Sequence, residues 1–149
     1  MRHVSALGLE LIQRFEGFSR RIYICPGGWP TIGYGHVVRD HERGRFAGGI
    51  DEDTGEELLR RDVQAAERSI LRLIQVPLTD GQFDALVSFT FNLGGGALQR
   101  STLRCKVNRE EHEEVPAEFM RWVRAGGRKL KGLVRRRAAE ALLYEDRAF

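Results

Sequence analysis

The stretch IDEDTGEELLRRDVQAAERSILRLI, residues 50–74, carries the strongest periodic signal in the chain. Leu59, Val63, Ala66, Ile70 and Leu73 recur at intervals of three and four, which lays one apolar stripe along a helix. Acids crowd its first turn, where the helix dipole favours negative charge, and Pro77 bars continuation beyond it. The spacing predicts one long helix over about 51–74. A stripe of that length must be buried, so the rest of the chain has to supply layers against it.

On the N-terminal side, SALGLELIQRFEGF places Leu7, Leu11, Ile12 and Phe15 on one helix face, with Gly17 as a stop. Glu16 therefore falls at the C-terminal edge of that helix. From Arg21 to Val38 the pattern changes to alternation around the turn residues Pro26-Gly27-Gly28, with Ile22, Ile24, Ile32, Tyr34 and His36 on one parity. This predicts a small hairpin or meander, and the Gly- and charge-rich run through Gly49 predicts a lobe with little core of its own. Thr79 with Gln82 forms a capping box that opens a deeply apolar helix, Gln82 to Asn92, ended by Gly94-Gly95-Gly96. Further helices are expected at Ser101–Asn108, Pro116–Ala125 and Leu133–Tyr144. No internal repeat is visible.

With 149 residues, 42% hydrophobic and 30% charged, the chain suits one soluble domain that needs no disulfide or metal staple. Cys25 and Cys105 are too few for a disulfide framework and lack zinc-ligand spacing; no metal, no cofactor and no pairing of the two is expected. The N-terminus shows neither a signal-peptide core nor a membrane span. The net charge is only +3, yet Arg121, Arg124, Arg128, Lys129, Lys131, Arg135, Arg136 and Arg137 follow one another with no acid between them. That run is either a solvated helix face or a surface that attracts a polyanion.

Glu16, Cys25 and Thr31 each have ordinary explanations: a surface ion pair with Arg20, a small buried hydrophobe, a strand-former. Their spacing is less ordinary. Eight residues separate Glu16 from Cys25 and five separate Cys25 from Thr31, in a segment that begins Phe-Glu-Gly and ends Thr-Ile-Gly-Tyr-Gly-His. This resembles the active-site signature of the phage-type lysozymes, family 24 of the glycoside hydrolases, and LVSFTFNLGGGALQRSTL, RWVRAGG and GLVRRRAAE resemble the family's later motifs in the same order.

The resemblance implies an α+β, lysozyme-like fold: a small N-terminal β lobe (about 17–50), a larger C-terminal helical lobe (about 1–16 plus 75–149) and a connecting helix (about 51–74), with the active site in the cleft between lobes. It implies an endolysin that hydrolyses the β-1,4 bond between N-acetylmuramic acid and N-acetylglucosamine in peptidoglycan. Glu16 is then the general acid, which must be protonated when substrate is bound. Cys25 stands where most relatives carry Asp. With Thr31 it holds the attacking water, or as a thiolate it acts electrostatically, or it attacks the sugar carbon directly. By motif position Val37, Phe91 and Ser101 line the sugar path, Asn92 and Arg136 support the glutamate, and His36 pairs with Asp62 to fasten the β lobe. Trp29 and Tyr34 are either sugar-stacking aromatics or core of the small lobe, and Trp122 is core.

The partners expected are peptidoglycan glycan strands, with no nucleic acid and no stable membrane insertion, for a monomer. Synthesis in the host cytoplasm and passage to the wall through a phage-encoded membrane pore complete the expectation. A lytic transglycosylase and a non-enzymatic wall- or nucleic-acid-binding module are the rival readings; the second leaves the Glu/Cys/Thr spacing unexplained.

Overall fold

In the computed structural model, which describes residues Met1–Phe149, the chain forms two compact units, Met1–Leu11 with Ala65–Phe149, and Ile12–Gln64. Helix α1 (Ala6–Glu16) begins in the first and ends in the second. Its start is tied down by buried carboxylates: Asp84 accepts from the Ser5 backbone N–H at 2.9 Å and from the Ser5 hydroxyl, and Glu67 accepts from the Val4 N–H at 2.6 Å. Leu9, Leu11 and Ile12 are buried, whereas Leu7, expected on the core face, is 50% exposed. The packed face instead turns on Gly8, where an added Cβ would sit 2.6 Å from the Asp84 side chain.

The unit Ile12–Gln64 holds an antiparallel sheet in the order β1 (Ser19–Ile24), β2 (Pro30–Gly33), β3 (His36–Val37). Tyr23 lies opposite Thr31 and Thr31 opposite Val37, while Ile24 faces Pro30 and Ile32 faces His36. Short helix α2 (Arg43–Phe46) and helix α3 (Glu52–Asp62) follow, α3 capped by Asp51, whose side chain accepts from the Thr54 N–H at 2.8 Å. Where little core was expected, Ile32, Val38, Phe46, Ile50 and Leu58 form a compact buried cluster, with Phe18 and Ile22 packed on it. Phe46 and Ile50 supply what the strands lack, and they stand singly among Gly and Arg, so no periodicity announces them. Ile24, on the parity of Ile32, is 65% exposed because it lies beyond the edge of that cluster, at the hairpin end.

The single long helix expected over 51–74 is two, α3 and α4 (Gln64–Leu73). At Val63 ψ flattens to −14°, well short of the helical value near −42°, and the apolar stripe continues across the interruption.

Helix α5 (Asp80–Leu93) opens the remainder with the anticipated capping box, Gln82 N–H to Thr79 Oγ1 at 3.1 Å and Thr79 N–H to Gln82 Oε1 at 2.9 Å. After it come α6 (Gly95–Arg100), α7 (Thr102–Asn108), α8 (Val115–Phe119), the hairpin β4 (Arg124–Ala125) and β5 (Arg128–Lys129), and α9 (Lys131–Tyr144). Phe83, Ala85, Leu86, Val87 and Phe89 of α5 are almost wholly buried, and α9 packs against this helix. Gly94, at φ +92°, stops α5 as expected, but Gly95 starts α6 at once. The helix expected over Pro116–Ala125 ends at Phe119, because Gly126 and Gly127 at φ +57° and +76° turn the following residues into the hairpin.

Candidate active site

Glu16 is the last residue of α1, partly buried. Its carboxylate lies over the turn between β2 and β3: a Cβ added to Gly35 would meet Glu16 Oε2 at 3.1 Å. Gly35 also holds φ +83°, a conformation that favours glycine, and a side chain there would press on the carboxylate. The sheet register sets the neighbouring chemistry. Cross-strand partners share a face, which puts Tyr23, Thr31 and Val37 in one row. Cys25 continues that parity into the hairpin loop, its N–H bonded to the Trp29 carbonyl at 3.0 Å and its carbonyl accepting from Gly28 N–H at 2.8 Å.

Cys25 is a free, partly exposed thiol, and Cys105 is also free. Hydrogen bonding from the Trp29 backbone, then the Thr31 hydroxyl, then the Gly27 and Gly28 backbone holds the Cys25 thiol below its ordinary pKa. The Thr31 hydroxyl has one proton, and in the structure it goes to the Trp29 carbonyl at 2.9 Å. Turning that proton onto sulfur is the move that favours the thiolate. Thr31 itself is 3% exposed, so its hydroxyl is held among few alternatives.

His36, on the opposite face, is clamped on both sides. Nδ1 lies 2.8 Å from Asp62 Oδ2 and Nε2 lies 3.2 Å from Glu42 Oε2, and the ring sits edge-on to Phe46 at 5.9 Å. The Asp62 hydrogen bond, aided by Glu42, raises the His36 pKa against the opposing effect of burial. Glu42 is a partner that sequence reasoning missed; its signal was only the spacing of six residues from His36 within a short charged turn. No group of three or more His, Cys, Asp or Glu side chains is arranged to hold a metal ion.

In the other unit, Asn92 is partly exposed near the end of α5, and its Oδ1 accepts from Arg137 Nη2 at 2.7 Å. Arg136, the residue expected to support the glutamate, reaches Glu140 Oε2 and the Ser88 carbonyl and hydroxyl, each at 3.4 Å. Arg137 pairs with Glu140 Oε1 at 2.7 Å, and the Ser88 hydroxyl donates to Glu140 at 2.5 Å. Burial pushes the Glu140 carboxyl up, opposed by both arginines, and lowers Arg137. Arg136 and Arg137 are therefore not part of a solvated basic face: they are 4% and 0% exposed. The other six residues of that run are exposed. Three consecutive arginines carry no mark of which two turn inward; only the phase of α9 against α5 decides it.

Phe91 is partly buried. Ser101 is 3% exposed and caps α7, donating to the Leu98 carbonyl at 2.7 Å and accepting from the Arg104 N–H at 3.0 Å. Of the aromatics left open, Trp29 is 62% exposed and no part of a core, Tyr34 packs on Phe18 at 5.2 Å, and Trp122 is half-buried, edge-on to Phe89 at 5.6 Å.

An acid at a helix end thus lies against the turn of a small sheet whose hairpin carries a free thiol and a buried hydroxyl. The model of the phage lysozyme family matches residues 13–140, and the chain belongs to that family. It is 38% identical over 148 residues to an endolysin of Acyrthosiphon pisum secondary endosymbiont phage 1, covering 97% of this chain and 99% of that one. It is 39% identical over 144 residues to the endolysin of Bacillus phage B103, covering 95% of this chain but only 54% of that longer protein. Among solved structures, the muramidase domain of SpmX from Asticaccaulis excentricus superposes with a TM-score of 0.84 at 35% identity, over 96% of this chain and 98% of that domain. The α+β fold is thus lysozyme-like.

Proposed function

We propose that this chain is the muramidase of a phage lysis system, cutting the β-1,4 bond between N-acetylmuramic acid and N-acetylglucosamine with Glu16 as general acid. Membership of the phage lysozyme family makes it a glycoside hydrolase whose substrate is peptidoglycan. The observation that carries the assignment of roles is the lie of the Glu16 carboxylate against Gly35, in the same small unit whose sheet aligns Thr31 with Val37 and Cys25 with Trp29. Glu16 delivers a proton to the departing glycosidic oxygen. Cys25 and Thr31 meet the positive charge that develops on the sugar and orient the incoming water, and the lowered thiol pKa supports an electrostatic part for the sulfur.

Val37 and Phe91 contact the glycan, while Ser101 serves chiefly through its cap. Asn92 and Arg136 support the catalytic glutamate, and Arg137 holds Asn92 through its Oδ1. The enzyme acts as a monomer without cofactor, does not engage nucleic acid, and reaches the wall from the bacterial cytoplasm through a phage-encoded pore. No helix is long and apolar enough to cross a membrane.

The test is Glu16→Gln, which keeps size and hydrogen bonding but removes the transferable proton. Release of sugar fragments from purified peptidoglycan should fall by about 100-fold or more, with the thermal midpoint unchanged. A folded variant with wild-type turnover overturns the proposal.

A further inference from the structure

We propose that the Trp29 indole is a stacking platform for an amino-sugar ring of the glycan, set beside Cys25 on the catalytic face of the small sheet. This rests on the muramidase reading and adds to it a binding residue that the motif spacing does not single out.

Trp29 is 62% exposed and is not a member of its unit's buried apolar cluster. Its backbone is held in the hairpin: the Trp29 carbonyl accepts from both the Cys25 N–H at 3.0 Å and the Thr31 hydroxyl at 2.9 Å. The side chain is placed with equal definition. A Cβ added to Gly27 would touch Trp29 Cδ1 at 3.4 Å, Trp29 Nε1 at 3.8 Å and Cys25 Sγ at 3.7 Å. The pyrrole edge of the indole and the thiol therefore flank the same glycine, and the absent side chain at Gly27 leaves both open. Trp29 shares the parity of Thr31, whose cross-strand neighbours Tyr23 and Val37 are 41% and 47% exposed.

The result is one sheet face with a polar pair, Cys25 and Thr31, bordered by exposed apolar groups of which the indole is the largest. A pyranose ring has that same division, an apolar face of axial hydrogens and an equatorial rim of polar groups. An indole offers a flat apolar surface with one N–H at its edge, suited to a ring face and to the acetamido oxygen of an N-acetylated sugar. A sugar seated on Trp29 brings its neighbour's ring carbon toward the Cys25–Thr31 pair, so the platform sets register along the glycan as well as affinity.

The experiment uses Trp122→Phe as background, so that Trp29 is the sole indole, with tetra-N-acetylchitotetraose as the soluble probe and purified peptidoglycan as substrate. Trp29 emission should change saturably with the tetrasaccharide. Trp29→Ala should raise KM for peptidoglycan about tenfold with kcat within about threefold, and Trp29→Phe should recover most of the loss. An unmoved emission spectrum, a KM within twofold of the parent, or a fall in kcat alone overturns the inference, the last by assigning Trp29 to support of the thiol. Saturable emission changes in a protein that releases no sugar fragments support the platform and defeat the muramidase reading, so the two fail separately.

Discussion

At the residue scale the question is what the sulfur of Cys25 does. A free thiol in water ionises near about 8.5, and the hydrogen bonds from Trp29, Thr31, Gly27 and Gly28 lower that value here. In a Cys105→Ser background, the rate of iodoacetamide labelling of Cys25 should rise with pH along a curve centred below the ordinary thiol value. Thr31→Val preserves shape and removes the hydroxyl, so it should move the curve upward. Coincident curves for the two proteins would show that the Thr31 proton never serves the sulfur. The sequence held the identity of this pair in its spacing from Glu16, but not the Trp29 carbonyl that links them, because a backbone acceptor leaves no trace in residue type.

Among the elements, the turn after β3 and helix α3 are joined through His36. Its pKa is raised by Asp62 and Glu42, so the folded state binds the proton more tightly than the unfolded chain does. The stabilisation is then complete below about pH 6.5, the unfolded value, and is lost as pH rises through the raised folded value. His36→Asn should cost about 2 kcal/mol in urea unfolding at pH 5.5 and clearly less at pH 9. Equal costs at both pH values would mean that the ring acts by packing on Phe46 and not by charge. The same region shows where pattern reading runs out. Helix periodicity located α3 and α4 but could not register a one-residue flattening at Val63, since the apolar stripe passes through it unbroken. The core of the small unit was invisible because Phe46 and Ile50 are isolated apolar residues, buried by tertiary packing and not by any local period. The capping box at Thr79 was legible because it is local chemistry, two side chains and two N–H groups three residues apart.

For the whole molecule, charge and reaction are the properties that matter. With Arg136 and Arg137 withdrawn into the interior, the exposed part of the basic run includes Lys129, Lys131 and Arg135, which with Val134 line a groove of about 510 Å³. Peptidoglycan carries carboxylates, so encounter with the wall should be aided by this surface and screened by salt. Clearing of wall suspensions should slow several-fold between about 0.05 and 0.5 M NaCl, a range over which the screening length falls to a few ångströms. Lys129→Glu with Lys131→Glu and Arg135→Glu should flatten that dependence, and an unchanged salt profile in the triple variant would remove the groove from the account. The family could be read from motif order alone, yet the inward turn of two arginines could not, because it depends on how α9 is phased on α5.

Hydrolysis at the muramic acid side of the glycan, with Glu16 as the acid, leaves a chemically distinct end. Mass analysis of the fragments released from purified peptidoglycan tests it most directly. The new ends should be free, reducing N-acetylmuramic acid, each one water heavier than the anhydro form. Anhydro-muramic ends, or N-acetylglucosamine at the new reducing end, would contradict it.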